Sequence, residues 1–379
     1  MTNPMREQVL LSPQLLREQF AAMEERSRAL LPTPTIFAIR EVILTGCGDS
    51  QIAGALLREE WLRLTAIPTQ AWNAMQAARY EPALPRRQSP QDPLVVAISI
   101  SGGVARTLEA AEQWRARGAT VVALTANPAS PLGQAAEFIY ELTIPPLEGA
   151  GGPGVLSFLL ATQALYLLAI RFGEVRGRFT QDEAQALREG WSQGLVKVEQ
   201  YLPTLDSTMQ RITGEAKVLS RYELLGSGPA RAAAAFGAAK ILEASGHPAL
   251  HQDIEEWLHL HYFAQDPLEC GTWLLCSSDD PAFSRARELE PYLRRLERPH
   301  CYLTDEQGAA LLTHAIDLPI APCAVFTAAV QALALALFAA HLSERCGAKY
   351  GRGARGPWQD CADGRTTRLS ERLPLPGEA

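Results

Sequence analysis

A short apolar run that passes directly into serines and glycines is the feature that most constrains how this chain folds. Residues 94–98 (LVVAI) are apolar and partly β-branched, which is typical of a strand buried in a parallel sheet. Residues 99–103 (SISGG) follow, and apolar residues then recur at helical spacing as far as Gly118. Residues 94–110 therefore predict a strand, a tight loop and the start of a helix.

Two interpretations fit the loop at the start of this helix. A helix N-terminus offers free N–H groups and positive dipole density, which suit a phosphate group, and glycine lets a ligand approach the backbone. Ser99, Ser101 and Gly102 would then hold a phosphoester by hydrogen bonds, because the loop contains no Lys or Arg. In the second interpretation the serines only cap the helix.

Strand and helix patterns alternate on both sides of this unit, which predicts parallel sheets with helices on both faces. The pattern starts again with a strand at 222–225, and a length of 379 residues suits two domains. The predicted fold class is α/β, with two tandem doubly wound (flavodoxin-like) domains. The predicted segments are an N-terminal helix at 1–35, a first domain at 36–178, a helical connector at 179–213, a second domain at 214–345 and a C-terminal tail at 346–379.

The two predicted domains differ in the loop after their third strand. The first has SISGG, whereas the second has residues 276–281 (CSSDDP), with two carboxylates and no glycine. Carboxylates repel a phosphate group, so the sequence predicts one strong anion site, in the first domain.

Composition excludes several classes of function. The net charge is −7 and basic runs are absent, so no nucleic-acid role is expected. Apolar stretches at 158–170 and 324–340 contain polar residues and are interpreted as buried helices, so no membrane partner is expected. The N-terminus lacks the apolar core of a signal peptide, and the seven cysteines form no CxxC pair, which favours a reduced cytoplasmic protein.

A dinucleotide cofactor is the main alternative to a simple phosphate ligand, because a GxG follows the first strand. Gly46-Cys47-Gly48 continues without the third glycine of the Rossmann fingerprint, and the second strand ends at Trp72-Asn73 without an acid for the ribose. No cofactor is therefore expected.

Four motifs resemble those of the sugar isomerase (SIS) family of phosphosugar-binding domains. Residues 46–50 (GCGDS) match its first loop, and 99–102 (SISG) with Thr107 match its second. In the second domain, 237–245 (GAAKILEAS) and 256–259 (EWLH) are similar to the family's catalytic helix and its E-x-x-H segment. The resemblance is to tandem SIS domains, as in the isomerase half of glucosamine-6-phosphate synthase and the related amino-sugar-phosphate isomerases and deaminases.

This resemblance implies roles for ten residues. Glu243 would be the acid/base residue and His259 would assist ring opening, with Glu256 in the same segment. Lys240 would either hold the enolate oxygen or only pair with Glu243, three residues away on the helix. Without the motif, Glu243 would be interpreted as a surface glutamate. The sugar phosphate would be bound by residues of the first domain: Gly48, Ser50, Ser99, Ser101, Gly102 and Thr107.

The chain departs from the family's pattern at several positions. Asp49 stands where Ser or Thr is usual, and Gly103-Val104 replaces a Glu-Thr pair, which removes one hydroxyl. Thr2 stands where the synthases have a nucleophilic cysteine, so glutamine-driven synthesis is not expected. No lysine follows Lys349, which argues against a Schiff base from the tail.

Four histidines and three acids cluster near the second-domain motifs, but their spacing does not favour a metal site. The HxxxH of His247 and His251 spans a proline, and His259 and His261 point to different faces of a helix. We therefore expect no metal.

The preferred hypothesis is a phosphosugar isomerase or amino-sugar-phosphate deaminase that moves a proton between C1 and C2. The alternatives are a non-catalytic phosphosugar-binding or regulatory protein, and a fructosamine-phosphate deglycase. The expected partner is a small sugar phosphate, and the resemblance implies a homodimer.

Overall fold

The computed structural model describes residues 3–84, 89, 91–146, 152–319, 322–350 and 367–376. The tail motif at 351–358 lies outside these residues, as does the start of the glycine-rich loop at 149–154. The chain divides into two compact units. The first-sheet unit comprises Leu16–Pro146, Leu156–Glu189 and Gly351–Ala379, and the second-sheet unit comprises Met1–Leu15, Leu147–Val155 and Gly190–Tyr350.

The first-sheet unit contains five parallel strands in the order β2-β1-β3-β4-β5. The three central strands are almost wholly buried, because apolar and β-branched residues fill both of their faces. The strands are β1 (Glu41–Gly46), β2 (Thr69–Asn73), β3 (Pro93–Ile98), β4 (Thr120–Thr125) and β5 (Phe138–Glu141).

The second-sheet unit repeats this topology, with the order β7-β6-β8-β9-β10 and every neighbouring pair parallel. Its strands are β6 (Arg221–Gly226), β7 (Ala249–Gln252), β8 (Cys270–Leu275), β9 (His300–Thr304) and β10 (Ala315–Asp317). Both sheets thus have the doubly wound order 2-1-3-4-5, which confirms the predicted α/β class with two tandem sheets.

Helices connect the strands and cover the sheets. Two of them, α1 (Pro4–Ala29) and α7 (Gln181–Glu215), contribute residues to both units. The first-sheet unit has α2 (Thr33–Ala38), α3 (Asp49–Thr65), α4 (Ala105–Ala116), α5 (Pro131–Ala135) and α6 (Leu156–Val175). The second-sheet unit has α8 (Pro229–Ser245), α9 (Ile254–His259), α10 (Phe283–Arg295), α11 (Glu306–Ala309) and α12 (Ala324–Arg345).

Two helices, α6 and α12, are long and apolar enough to cross a membrane by length and composition alone. Most of each apolar stretch is buried inside the protein, so this is weak evidence for a membrane span. Their sequences were expected to form buried helices, and leucine and alanine of both helices line the cores.

A hydrogen-bonded cluster around the buried Asp206 joins α1, α7 and α12 within the second-sheet unit. The carboxylate of Asp206 accepts hydrogen bonds from Arg6 Nε and His341 Nε2, each at 2.8 Å. Burial alone would raise the pKa of Asp206. The hydrogen bonds from Arg6 and His341, of which that from Arg6 is the larger effect, outweigh burial and hold the pKa below its usual value. The charged form of Asp206 is therefore the one that stabilises the fold.

This cluster predicts a loss of stability in acid. A carboxyl group whose folded pKa is depressed stabilises the protein above its unfolded pKa, and that contribution is lost as the pH falls through the folded pKa. Asp206→Asn should lower the free energy of unfolding by about 2 kcal/mol at pH 7 and much less at an acid pH below the folded pKa of Asp206. Urea unfolding of both proteins across this range is the measurement. An equal effect at both pH values would contradict the assignment.

Candidate functional site

The carboxyl ends of β1 and β3 form the switch point of the first sheet. The two strands are parallel neighbours, and Gly46 lies opposite Ile98 at their last residues. The chain leaves β1 for β2 on one side of the sheet and leaves β3 for β4 on the other. Ligands of doubly wound sheets bind at such a point, so both loops that follow these strands are candidates for binding.

The loop after β1 runs close to β3 and turns sharply into α3. A Cβ atom at Gly46 would lie 2.8 Å from the carbonyl oxygen of Ile98, so this approach requires glycine. Gly48 precedes α3 with φ of 56°, in the left-handed region, and has open space around its Cα. The amide of Ser50 donates to the carbonyl of Cys47 at 3.2 Å, which holds the serine at the first turn of α3.

The loop after β3 is a compact turn that brings two serines to the start of α4. Gly102 has φ of 63°, and a Cβ there would lie 1.9 Å from Ser130 Oγ. The amide of Gly102 donates to the carbonyl of Ser99 at 3.0 Å. Ser99 is only 3 % exposed, and its hydroxyl has no hydrogen-bond partner among the described residues. An unpaired buried hydroxyl costs free energy, and a bound acceptor would satisfy it.

Helix capping does not account for these serines. The residue that caps α4 is Val104, and no side chain makes a capping hydrogen bond there. The hydroxyl of Ser101 is exposed and accepts only a long contact of 3.4 Å from the amide of Gly103. Of the two interpretations of this loop, the structure therefore favours a ligand-binding role.

Thr107 links the two loops. It is fully buried in α4, and its hydroxyl donates to Cys47 Sγ at 3.7 Å. Asp49 is half-buried in the first turn of α3, beside the same loop. A further hydroxyl, which the sequence analysis missed, is that of Thr45, fully buried near the end of β1 and without a partner among the described residues. Its only sequence signal is a threonine in an otherwise apolar strand.

The corresponding loop of the second sheet carries its own carboxylates. The amide of Ser278 donates to Asp305 Oδ2 at 2.6 Å, and that of Ala282 donates to Asp280 Oδ1 at 2.7 Å. Burial, and then the charge of Asp279, raise the pKa of Asp280. Carboxylates thus occupy two N–H groups of this loop, and the single anion site in the first domain stays a prediction.

The predicted catalytic helix is α8, and it holds a buried cation beside a carboxylate. Lys240 is fully buried, with its Nζ 2.8 Å from Glu243 Oε2 and 5.0 Å from the ring of Phe236. The Glu243 side chain is 46 % exposed, so the chain itself buries it only in part. The carboxylate is accessible to a substrate while the ammonium group fixes its position.

His259 ends α9 and pairs with Glu255 rather than Glu256. Its Nε2 lies 3.2 Å from Glu255 Oε1, because residues four apart share a helix face. Two hydrogen bonds lower the pKa of Glu255: the larger effect comes from Arg285 and the smaller from His259. Glu256 and His259 are both exposed. The sequence motif did not reveal the contact with Glu255, although the i, i+4 spacing could have.

The structure thus places the predicted residues in two groups. The six residues predicted to bind phosphate lie in the first-sheet unit, in the loops after β1 and β3 or at the starts of α3 and α4. The four residues predicted to be catalytic lie in the second-sheet unit, on α8 and α9. Within the described part of the chain, no group of three or more His, Cys, Asp or Glu side chains is arranged to hold a metal ion.

Residues 35–171 match the family described as SIS domain. The chain is 32 % identical over 196 residues to the isomerizing glutamine–fructose-6-phosphate aminotransferase of Symbiobacterium thermophilum, a match that covers 52 % of this chain and 29 % of that protein. The chain spans about a third of the length of the curated relatives it matches.

Two solved structures share the fold across most of both chains. The C-terminal domain of glucosamine-fructose-6-phosphate aminotransferase from Francisella tularensis has a TM-score of 0.80 and 16 % identity, and the match covers 92 % of this chain and 98 % of that one. Glucosamine-6-phosphate deaminase from Thermotoga maritima has a TM-score of 0.68 and 15 % identity, covering 92 % and 97 % respectively. At these identities the likeness shows the fold alone.

Proposed function

We propose that this chain, which carries a SIS domain at 35–171 and is homologous to the isomerase half of the glutamine–fructose-6-phosphate aminotransferases, is a phosphosugar isomerase or amino-sugar-phosphate deaminase. The observation that carries the proposal is the buried hydroxyl of Ser99, in the loop between β3 and α4, which no described residue hydrogen-bonds. A phosphate oxygen there would accept a hydrogen bond from Ser99.

The hydroxyls of the two loops would hold the phosphate group. Ser50, Ser101 and Thr107 lie on the same two loops or on the helices that follow them. Gly48 leaves the backbone open to the ligand, and Gly102 allows the tight packing of its loop against Ser130. Binding through the phosphate would orient the sugar without contacting the carbons that react. Such a binding mode would accept any of the candidate substrates, because they differ only at C1 or C2.

Glu243 would carry the proton between C1 and C2. In an open-chain amino-sugar phosphate, its carboxylate removes the C2 proton to give an enolamine and returns a proton to C1. The resulting C2 imine takes up water, which releases ammonia and leaves the ketose phosphate. With an ordinary aldose the same transfer passes through an enediol and gives the ketose directly.

The neighbouring residues have supporting roles in this proposal. His259, exposed and paired with Glu255, would protonate the ring oxygen as the sugar opens. Glu256 lies on the same short helix. Lys240 would position the Glu243 carboxylate, because its buried ammonium already binds one of the two oxygens.

Ammonia release from glucosamine 6-phosphate, with fructose 6-phosphate measured in parallel, tests the proposal. Ammonia and fructose 6-phosphate in equal amounts would support a deaminating isomerase. Interconversion of an aldose and a ketose phosphate without ammonia would support the isomerase alone. Binding of sugar phosphates with no turnover across a panel of aldose, amino-sugar and fructosamine phosphates would contradict an enzyme and favour the regulatory alternative.

We also propose that the protein acts in the cytoplasm as a homodimer, since sites of SIS enzymes are commonly completed by a second subunit. Static light scattering at micromolar concentration should give twice the chain mass of 41.3 kDa. A strictly monomeric protein would contradict the role proposed for the exposed His259.

A further inference from the structure

The described end of the C-terminal tail lies along α4 in the first-sheet unit. The carbonyl of Thr367 accepts a hydrogen bond from the amide of Ala105 at 2.8 Å, at the first turn of the helix. Eight residues further along the helix, Gln113 Nε2 donates to the carbonyl of Pro374 at 2.9 Å. Residues 367–376 are called the tail segment below, and the loop at 99–104 is called the phosphate loop. The tail segment therefore runs from the phosphate loop to the far end of α4.

Two arginines and a buried carboxylate fasten the tail segment. Arg79 and Arg106 both donate to the carbonyl of Glu371, at 3.0 and 3.1 Å. Both also form ion pairs with Glu109, which is fully buried in α4. Glu109 Oε1 in turn accepts the amide of Leu373 at 3.2 Å. The tail segment is thus bound to α4 by hydrogen bonds from two arginines and by one to the buried carboxylate of Glu109.

This attachment places Arg368 over the phosphate loop. Its Cδ and Nε lie 3.9 Å from the position that a Cβ of Gly103 would occupy, and Ser101 Oγ lies at the same distance from that point. Gly103 has no side chain, which leaves room for the guanidinium. Arg368 is exposed, and none of the described residues forms an ion pair with it.

We propose that Arg368 supplies the positive charge of the phosphate site, which the loop at 99–104 lacks in its own sequence. The proposal rests on the proposed function and deepens it. A phosphate at Ser99 and Ser101 carries negative charge, and a guanidinium binds two phosphate oxygens with charge-assisted hydrogen bonds. The tail segment thereby becomes a part of the binding site.

Calorimetric binding of fructose 6-phosphate and of inorganic phosphate to the full chain tests this role. Arg368→Ala should weaken binding of fructose 6-phosphate about tenfold, because one charge-assisted hydrogen bond is lost at a partly exposed site. Arg368→Lys should lose less, since it keeps the charge. The matched control is Arg58→Ala, which removes an exposed arginine from α3 of the same unit and should bind as the wild type does.

The outcomes separate this proposal from the proposed function. The wild-type affinity should fall more steeply with salt than that of Arg368→Ala, because the variant has lost a screened charge. Binding by Arg368→Ala within twofold of the wild type, or tighter, would overturn the role of Arg368 and leave the proposed function intact. A wild-type protein that binds neither fructose 6-phosphate nor inorganic phosphate would overturn both.

Discussion

Glu243→Gln is expected to lower kcat for turnover of a phosphosugar by about 10²–10⁴-fold while leaving the Kd for sugar phosphate almost unchanged. The glutamine amide has the shape of the carboxylate but cannot accept the C2 proton. It can still accept the hydrogen bond from Lys240, now at 2.8 Å, so the end of α8 should keep its structure. The phosphate-binding loops lie in the other unit and are unchanged. The measurement is steady-state release of ammonia or ketose phosphate, with calorimetric binding in parallel.

Glu288→Gln is the matched control for this variant. Glu288 is also an exposed glutamate paired with a cation three residues earlier, in this case Arg285 at 2.7 Å. Its replacement removes the same charge from the same unit and should leave kcat within twofold of the wild type. Substantial turnover by Glu243→Gln would contradict the role of Glu243 as acid/base residue. An equal loss of kcat in Glu288→Gln would point to a general effect of removing a charge.

The central strands of both sheets could be predicted from the sequence because each is short, mostly apolar and followed by small or polar residues. The edge strand β7 was not predicted, because its residues are partly buried or exposed and form no apolar run. Residues 94–98 are buried on both faces of the sheet, and such runs need no contact from distant sequence to be recognised. The same holds for the glycines at the end of β1 and in the loop after β3. Gly46 and Gly102 occupy positions where a Cβ would collide with neighbouring atoms.

Helix ends were harder to predict. A periodic apolar pattern predicts one helix over 254–263, but α9 ends at His259 and a separate 3-10 turn, His261–Phe263, follows. Leu260 breaks the helix with φ of −128° and ψ of −68°. Periodicity alone does not show this break, and it changes which side chains share a face with His259.

Contacts between distant segments could not be predicted from the sequence. The tail segment reaches α4 across more than 250 residues of chain, through the contact of Gln113 with Pro374. Arg368 was not predicted as a binding residue, because the family resemblance concerns a lysine in the tail. Long-range placement of a charge depends on the fold as a whole, and no local motif of this chain encodes it.

The most consequential of these unpredicted contacts is a buried ion pair in the second sheet. Glu223 is 3 % exposed on β6. Its Oε2 forms an ion pair with Arg298 Nη2 at 2.5 Å and accepts a hydrogen bond from Trp257 Nε1 at 2.7 Å. Arg298 is itself buried and lies 5.0 Å from the ring of Trp257. Trp257 belongs to α9, so this pair fixes the helix that presents His259.

Glu223→Ala should therefore lower the free energy of unfolding by about 3–5 kcal/mol, because it leaves the guanidinium of Arg298 buried without its counter-ion. Urea or guanidinium unfolding at pH 7 measures this loss. The double variant Glu223→Leu with Arg298→Met removes both charges and should be more stable than Glu223→Ala.

A loss below about 1 kcal/mol in Glu223→Ala would mean that water reaches the pair, and would contradict its burial. The double variant also separates stability from function. It keeps an apolar core under α9 but leaves the Trp257 N–H without its acceptor. If Glu223 positions this helix, the double variant should turn over phosphosugars more slowly than the wild type even where it is fully folded. Wild-type kcat in a folded double variant would show that packing alone places His259.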